Sequence, residues 1–314
     1  MKRTLATVLL VTSLAFAATA HAEGVMLAPG DLPEAARATL LKDVTEARRV
    51  EPDTFASLAA IRVRIPELDA QRRGRLATVT PALLGLGRRA VPAMLSELAV
   101  EGGRGSLTDT AWLAWRLNLL EAVGGLRDPR ATSVLEAIVA SPEQDFLLVR
   151  AAATALGKLN HDAAAMKLIA ASRLGAPGRR LAVLAGMGHC RRTPVARRLA
   201  EALRAVRGRP GEERAVKHLA RALGDVGNAW AWQTPEVQAS GDESAVRGVA
   251  AEALVEAYRD TENVASRRLL TKAILVVDDP TTRGRIAAAR EGANASQRAA
   301  LDELERRVDR NPLH

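Results

Sequence analysis

Apolar positions recur at steps of three and four along most of the chain, the spacing that gathers them on one face of an α-helix. Ala131, Val134, Leu135, Ile138 and Val139 make one such stripe, and Phe146, Val149, Ala153 and Leu156 make the next. The stripes come in pairs. Val149 to Ala171 reads VRAAATALGKLNHDAAAMKLIAA, and Leu117 to Ala140 reads LNLLEAVGGLRDPRATSVLEAIVA. Each is an Ala/Leu helix, a Gly-centred corner with an Asp, and a second amphipathic helix. Looser copies surround Gly85, Gly186 and Gly224. Taken as markers, Gly85, Gly124, Gly157, Gly186 and Gly224 stand 39, 33, 29 and 38 residues apart. That spacing falls around the range of paired-helix repeats but is too uneven for a consensus array. A helix pair cannot bury its apolar face alone and must stack on its neighbours. The pattern therefore predicts an all-α fold, an α-solenoid of stacked antiparallel helix pairs.

The second helices share a boundary chemistry: Asp128-Pro129, Thr193-Pro194 and Asp279-Pro280, with Asp162 in the same place without a Pro. An Asp or Thr oxygen accepts from a free N–H of the first turn, and Pro lacks an N–H that this position does not need. The ends depart from the repeat. Residues 23–33 read as an extended lead-in, and 33–66 as two helical stretches broken at Pro52 that cap the first repeat, so the repeats would occupy 67–314. Beyond Gly224 the phase slips: Ala245 to Tyr258 and Ser266 to Val277 lie too close to be first helices of successive units. Asn294 and Gln297 stand in capping-box spacing at the head of a last helix, with Leu301, Leu304 and Val308 inward.

The segment from Val149 to Leu159 resembles the first-helix signature of HEAT repeats, particularly the short HEAT-like repeats of bilin lyases and bacterial scaffolds. Leu120 to Arg130 (LEAVGGLRDPR) is a second match. The clear likeness covers Leu117 to Ala171, with weaker copies from about Leu76 to Asp278. It implies a right-handed superhelix of the armadillo-like helical kind, with the second helices lining the inner, concave surface.

Composition and charge narrow the function. Lys2 and Arg3 precede an apolar run from Leu5 to Ala18, and Ala20-His21-Ala22 fits the small-residue rule for cleavage. Residues 1–22 thus read as an export signal, giving a periplasmic or secreted protein with no membrane span after its removal. Cys190 is the only cysteine, so no intramolecular disulfide can form. With 48% apolar residues but only 3% aromatic, the core must be mainly Ala, Leu and Val. The net charge is +9, and loss of Lys2 and Arg3 with the leader lowers it to +7. Arg179 to Arg221 holds twelve basic and three acidic residues, so the positive charge is local and an electrostatic partner should meet the chain there.

Within that band Val195, Leu199, Ala202 and Val206 form a buried stripe, leaving Arg197, Arg198, Glu201 and Arg204 outward, with Arg191 and Arg192 in the corner before it. The resemblance would place these arginines in the inner groove, where their forks suit an anionic ligand. The alternative is a solvated face with Arg197 paired to Glu201. Trp112, Trp115 and Leu119 share a helical face and read as core. Trp230 and Trp232, two residues apart, cannot both be buried easily and are candidate aromatic contacts. His189 beside Cys190 lacks a second ligand cluster, and no G-x-S-x-G, H-E-x-x-H or phosphate-binding Gly loop occurs, so no catalytic residue, metal or cofactor is expected.

The sequence reading is a non-enzymatic scaffold binding a protein partner, plausibly acidic, or an anionic envelope polymer, through its concave face. Nucleic acid is a poor fit after export. A bilin-lyase-like enzyme and a self-associating structural component are the alternatives.

Overall fold

The computed structural model describes residues 24–28, 30–71 and 74–311. The export-signal reading of residues 1–22 falls outside them. Among the described residues every regular element is helical. In chain order these are α1 (Glu34–Val50), α2 (Pro52–Val63), α3 (Ile65–Gln71), α4 (Thr80–Gly85), α5 (Val91–Ala99), α6 (Asp109–Leu126), α7 (Thr132–Ala140), α8 (Phe146–Lys158) and α9 (Asp162–Ala171). There follow α10 (Pro177–Gly186), α11 (Thr193–Val206), α12 (Glu213–Val226), α13 (Pro235–Gln238), α14 (Glu243–Asp260), α15 (Val264–Val277), α16 (Thr282–Arg290) and α17 (Ala295–Asp309). No described helix is long and apolar enough to cross a membrane.

The helices pack as two series. In the first, α4 lies on α6, α6 on α8, α8 on α10, α10 on α12 and α12 on α15. In the second, α5, α7, α9, α11, α14 and α16 follow one another in the same way. Among the described residues, backbones two places apart in a series do not approach appreciably. The apolar interior is one continuous band between the series, made mainly of Ala, Leu and Val. At one end α1 and α2 pack on α5, and residues 25–27 donate backbone hydrogen bonds to the Glu97 and Leu98 carbonyls at 2.8–3.2 Å. At the other, α17 packs on α14 and α16 and buries Leu301, Leu304 and Val308.

The slip after Gly224 has a physical source. Residues 227–242, holding a short 3-10 turn (Ala229–Gln233) and α13, are inserted between α12 and α14. The helix at Ala245 to Tyr258 is therefore a second-series member, and that at Ser266 to Val277 belongs to the first.

The marker glycines do not sit in the corners. Gly124, Gly157 and Gly224 lie inside their helices, and Gly85 and Gly186 end theirs; the corners after α6, α8 and α15 are left-handed at Arg127 (φ 49°), Asn160 (φ 54°) and Asp278 (φ 48°), and that after α4 at Gly87 (φ 72°). The glycines instead mark close helix approach. A Cβ on Gly124 would stand 2.5 Å from Ala155 Cα, and one on Gly186 would stand 2.5 Å from the Arg150 carbonyl oxygen. One on Gly224 would meet Ala273 Cβ at 3.2 Å. Successive first-series helices thus touch backbone to backbone where side chains are smallest.

Several helix starts also differ from the sequence reading. Asp128 does accept from the Arg130 N–H at 3.0 Å, and Asp279 from the Thr281 N–H at 2.9 Å. Thr193 caps nothing; its hydroxyl donates to Asp242 at 2.6 Å. For α9 the cap is His161, whose Nδ1 accepts from the Ala164 N–H at 3.1 Å, and Asp162 is the first helical residue. The capping box of Asn294 and Gln297 is formed in both directions. A cap from another helix fixes α4: buried Asn118 of α6 accepts from the Val79 and Thr80 N–H groups at 2.7 and 2.8 Å and donates to the Ala77 carbonyl at 2.9 Å.

The packing sets two glycines apart. Gly186→Ala should destabilise the protein by about 1–3 kcal/mol, because backbone must move to admit the methyl group. Gly85, whose Cβ would meet nothing within 4 Å, should tolerate Ala or gain up to about 1 kcal/mol from it. Urea unfolding of the two variants decides; equal midpoints would show that close approach does not govern the packing.

Candidate functional site

Two first-series helices are well covered. No residue from Phe146 to Lys158, the whole of α8, is fully exposed, and none from Arg179 to Gly186 of α10. The Phe146 ring of α8 meets the His218 ring of α12 in a tilted contact, centroids 4.9 Å apart and planes at 50°. Residues of α6, α8, α10 and α12 line one groove of about 420 Å³. A second hollow of about 250 Å³, between α12 and α15, adjoins it through Arg221 and Asp225. Both hollows are lined by first-series helices, whereas the HEAT resemblance directed attention to the second helices.

Helical spacing puts the charged groups there. On α12 the apolar stripe of Ala215, Val216, Leu219, Ala220, Ala222 and Leu223 is buried, which turns Arg214, Lys217, His218, Arg221 and Asp225 to the groove side. On α8 the same logic presents Arg150, Thr154 and Lys158, one turn apart. Arg214 also lies over the Phe146 ring at 5.0 Å. Among the described residues Arg150, Arg214, Lys217 and Arg221 have no ion pair or side-chain hydrogen bond, in a protein whose other arginines are widely paired. All four act on one imidazole. Burial and then Arg150, Arg214, Arg221 and Lys217 push the His218 pKa below the usual histidine range.

The other end of the groove is more balanced. Burial raises the Asp225 pKa, opposed by Arg191, Arg221 and Lys272. Burial lowers that of Lys158, with Glu121 opposing. His189 is pushed down to about 4, first by burial and then by Lys158, Arg191 and Arg127. Burial pushes the neighbouring Cys190 thiol up to about 12, away from the thiolate that a nucleophile or metal ligand requires. Among the described residues no three His, Cys, Asp or Glu side chains converge as a metal-binding group.

The arginines singled out by the sequence sit mostly in internal contacts. Arg191 is buried; its N–H donates to Asn160 Oδ1 at 2.8 Å and its guanidinium to the Asp225 carbonyl at 3.3 Å. Arg192 donates to the Asn160 carbonyl at 3.2 Å and lies 3.5 Å from Asp162 and 3.6 Å from Asp242. Arg198 folds back onto Ser172 Oγ at 2.9 Å and pairs with Glu201 at 3.1 Å. The expected Arg197–Glu201 pair is thus replaced by Arg198–Glu201. Arg204 bridges Glu252 and Glu256 of α14, both at 2.9 Å. Arg197 is exposed and without a partner among the described residues.

The tryptophan pair separates as its spacing requires. Trp232 is buried and donates from Nε1 to the Val226 carbonyl at 3.3 Å, while Trp230 is 61% exposed. Trp115 is buried, donating to Glu97 at 3.2 Å, and Trp112 is half-buried beneath Arg62 and Arg116. The sequence reading passed over Arg150, Arg214, Lys217, His218 and Arg221 as a group. Their signal was available on α12, where four groups at helical spacing oppose an unbroken apolar stripe. Their meeting with Arg150, some seventy residues away, depends on packing between helices.

Comparison with known proteins returns no matching family model and no matching curated protein.

The depressed histidines have a stability consequence. Unfolded His189 takes a proton near pH 6.5, but folded His189 does so only near 4, so the unfolded state binds more protons between these values. Its contribution is complete above about pH 6.5 and is lost as pH falls toward 4, on the order of 3 kcal/mol in all. His218 acts in the same direction. Urea midpoints between pH 7.5 and 4 should fall more steeply for the natural protein than for His189→Gln; parallel curves would contradict the assignment.

Proposed function

We propose that the chain is an exported α-solenoid scaffold of HEAT-like helix pairs, without catalytic activity, that binds an acidic segment of a protein partner along its inner face. The supporting observation is the groove spanning α6 to α12, lined by Arg150 and Arg221, with Arg214 and Lys217 on the same side of α12; none of the four makes an ion pair within 4 Å among the described residues. Cations placed in a concavity focus the potential and draw an anionic ligand toward it. Half-burial of Arg150 strengthens its attraction relative to that of a fully solvated charge.

The nearest-neighbour packing of the two series supports the solenoid part of this reading, since repeat stacks have that contact pattern. The corner signatures at Leu120–Arg130 and Val149–Leu159 support the HEAT-like part. The raised Cys190 pKa supports a binding role over a nucleophilic one. Binding here needs the arginines of α8 and α12, while Arg197 on α11 contributes little.

Fluorescence anisotropy with a labelled glutamate-rich peptide tests the reading. Arg150→Glu with Arg221→Glu should weaken binding by about tenfold or more, from roughly 1 kcal/mol per reversed charge. Arg197→Glu should leave it unchanged, and added salt should weaken it through screening. Binding that ignores both the double reversal and salt would overturn the proposal. Circular dichroism and thermal midpoints confirm that the variants fold.

A further inference from the structure

The cations of the groove are not spread evenly, and their arrangement around His218 narrows the ligand. Arg150 approaches from α8; Arg214, Lys217 and Arg221 come from α12; and the imidazole lies at their centre against Phe146. The largest charge effects on His218 all come from these four cations, whereas Asp225, seven positions on, shares Arg221 with it and is also acted on by Arg191 and Lys272. Four positive groups on two helices need more than a single negative charge to offset them. A tetrahedral dianion offers several acceptor oxygens in different directions, which guanidinium forks on opposite walls can share. A carboxylate is planar and carries one charge.

Helix direction agrees. Arg214 and Lys217 lie in the first turns of α12, and Arg150 is the fifth residue of α8, so the cluster is near the positive ends of both helices. The opposite end of the groove, near His189, faces helix C-termini and already contains Glu121 and Asp225. An anion is favoured at one end only.

We infer that the His218 end of the groove is a recognition site for a phosphate-monoester dianion, held between Arg150 of α8 and Arg221 of α12, with the His218 imidazole between them supplying a hydrogen bond. Arg214, over the Phe146 ring, and Lys217 add charge from the same side of α12. The inference rests on the inner-face binding reading and specifies what the acidic segment carries. No bond is made or broken.

The test is calorimetric titration of the full chain with inorganic phosphate, a phosphoserine peptide, and the same peptide with Glu in place of phosphoserine. The phosphoserine peptide should bind about tenfold more tightly than its Glu counterpart, about 1.4 kcal/mol. Arg150→Ala and Arg221→Ala should each remove most of that preference while leaving the circular dichroism spectrum unchanged. Inorganic phosphate should compete and shift the NMR resonances of the His218 ring. Phosphate binding that gains nothing from the peptide supports the site with a free anion as its source. Equal affinity for the two peptides overturns the phosphate assignment but leaves acidic-segment binding standing. No binding by any of the three overturns both.

Discussion

Close contact between successive first-series helices is the constraint on which the rest depends. At Gly124 on Ala155, Gly186 on Arg150 and Ala153, and Gly224 on Ala273, one helix surface meets the next with almost no side chain between them. The helices therefore lie close together, and the Phe146 and His218 rings of α8 and α12 come within 4.9 Å between centroids. Bulkier residues at the contacts would push the helices apart and separate Arg150 from Arg221. An Ala-rich, aromatic-poor core is thus part of the geometry of the groove as well as the source of its stability.

Arginine does two different jobs in this chain. At many positions it is a tether. Arg179 at the start of α10 donates to the Ser141 carbonyl at 3.0 Å, Arg191 in a corner donates to the Asp225 carbonyl, and Arg204 on the second series bridges to α14. Such contacts join one helix pair to the next through backbone carbonyls and carboxylates, which suits a fork with several donors. On the inner face it is left without a protein partner. A count of basic residues along the band from Arg179 to Arg221 cannot distinguish these roles, because Arg198 and Arg214 look alike until their neighbours are known.

Legibility in the sequence follows from how local each determinant is. The helices, the break at Pro52, the capping box at Asn294 and the burial of the Ala131–Val139 stripe were readable, since each depends on residues within a few turns. The meaning of the glycines was not, because Gly124 serves a contact with Ala155 on another helix rather than a turn in its own. Nor was the cap of α9, where an imidazole nitrogen does what was expected of the neighbouring carboxylate. The site was the least legible part. Its residues lie on α8 and α12, and they meet through contacts between pairs, which no single stripe encodes.

The groove's span across several helix pairs carries a mechanical corollary. Native backbone contacts run mostly between adjacent pairs, while Phe146 links α8 to α12 through His218 and Arg214. An occupant gripping Arg150 and Arg221 together would act as a brace across α10, turning its affinity into resistance against local opening of the middle of the chain.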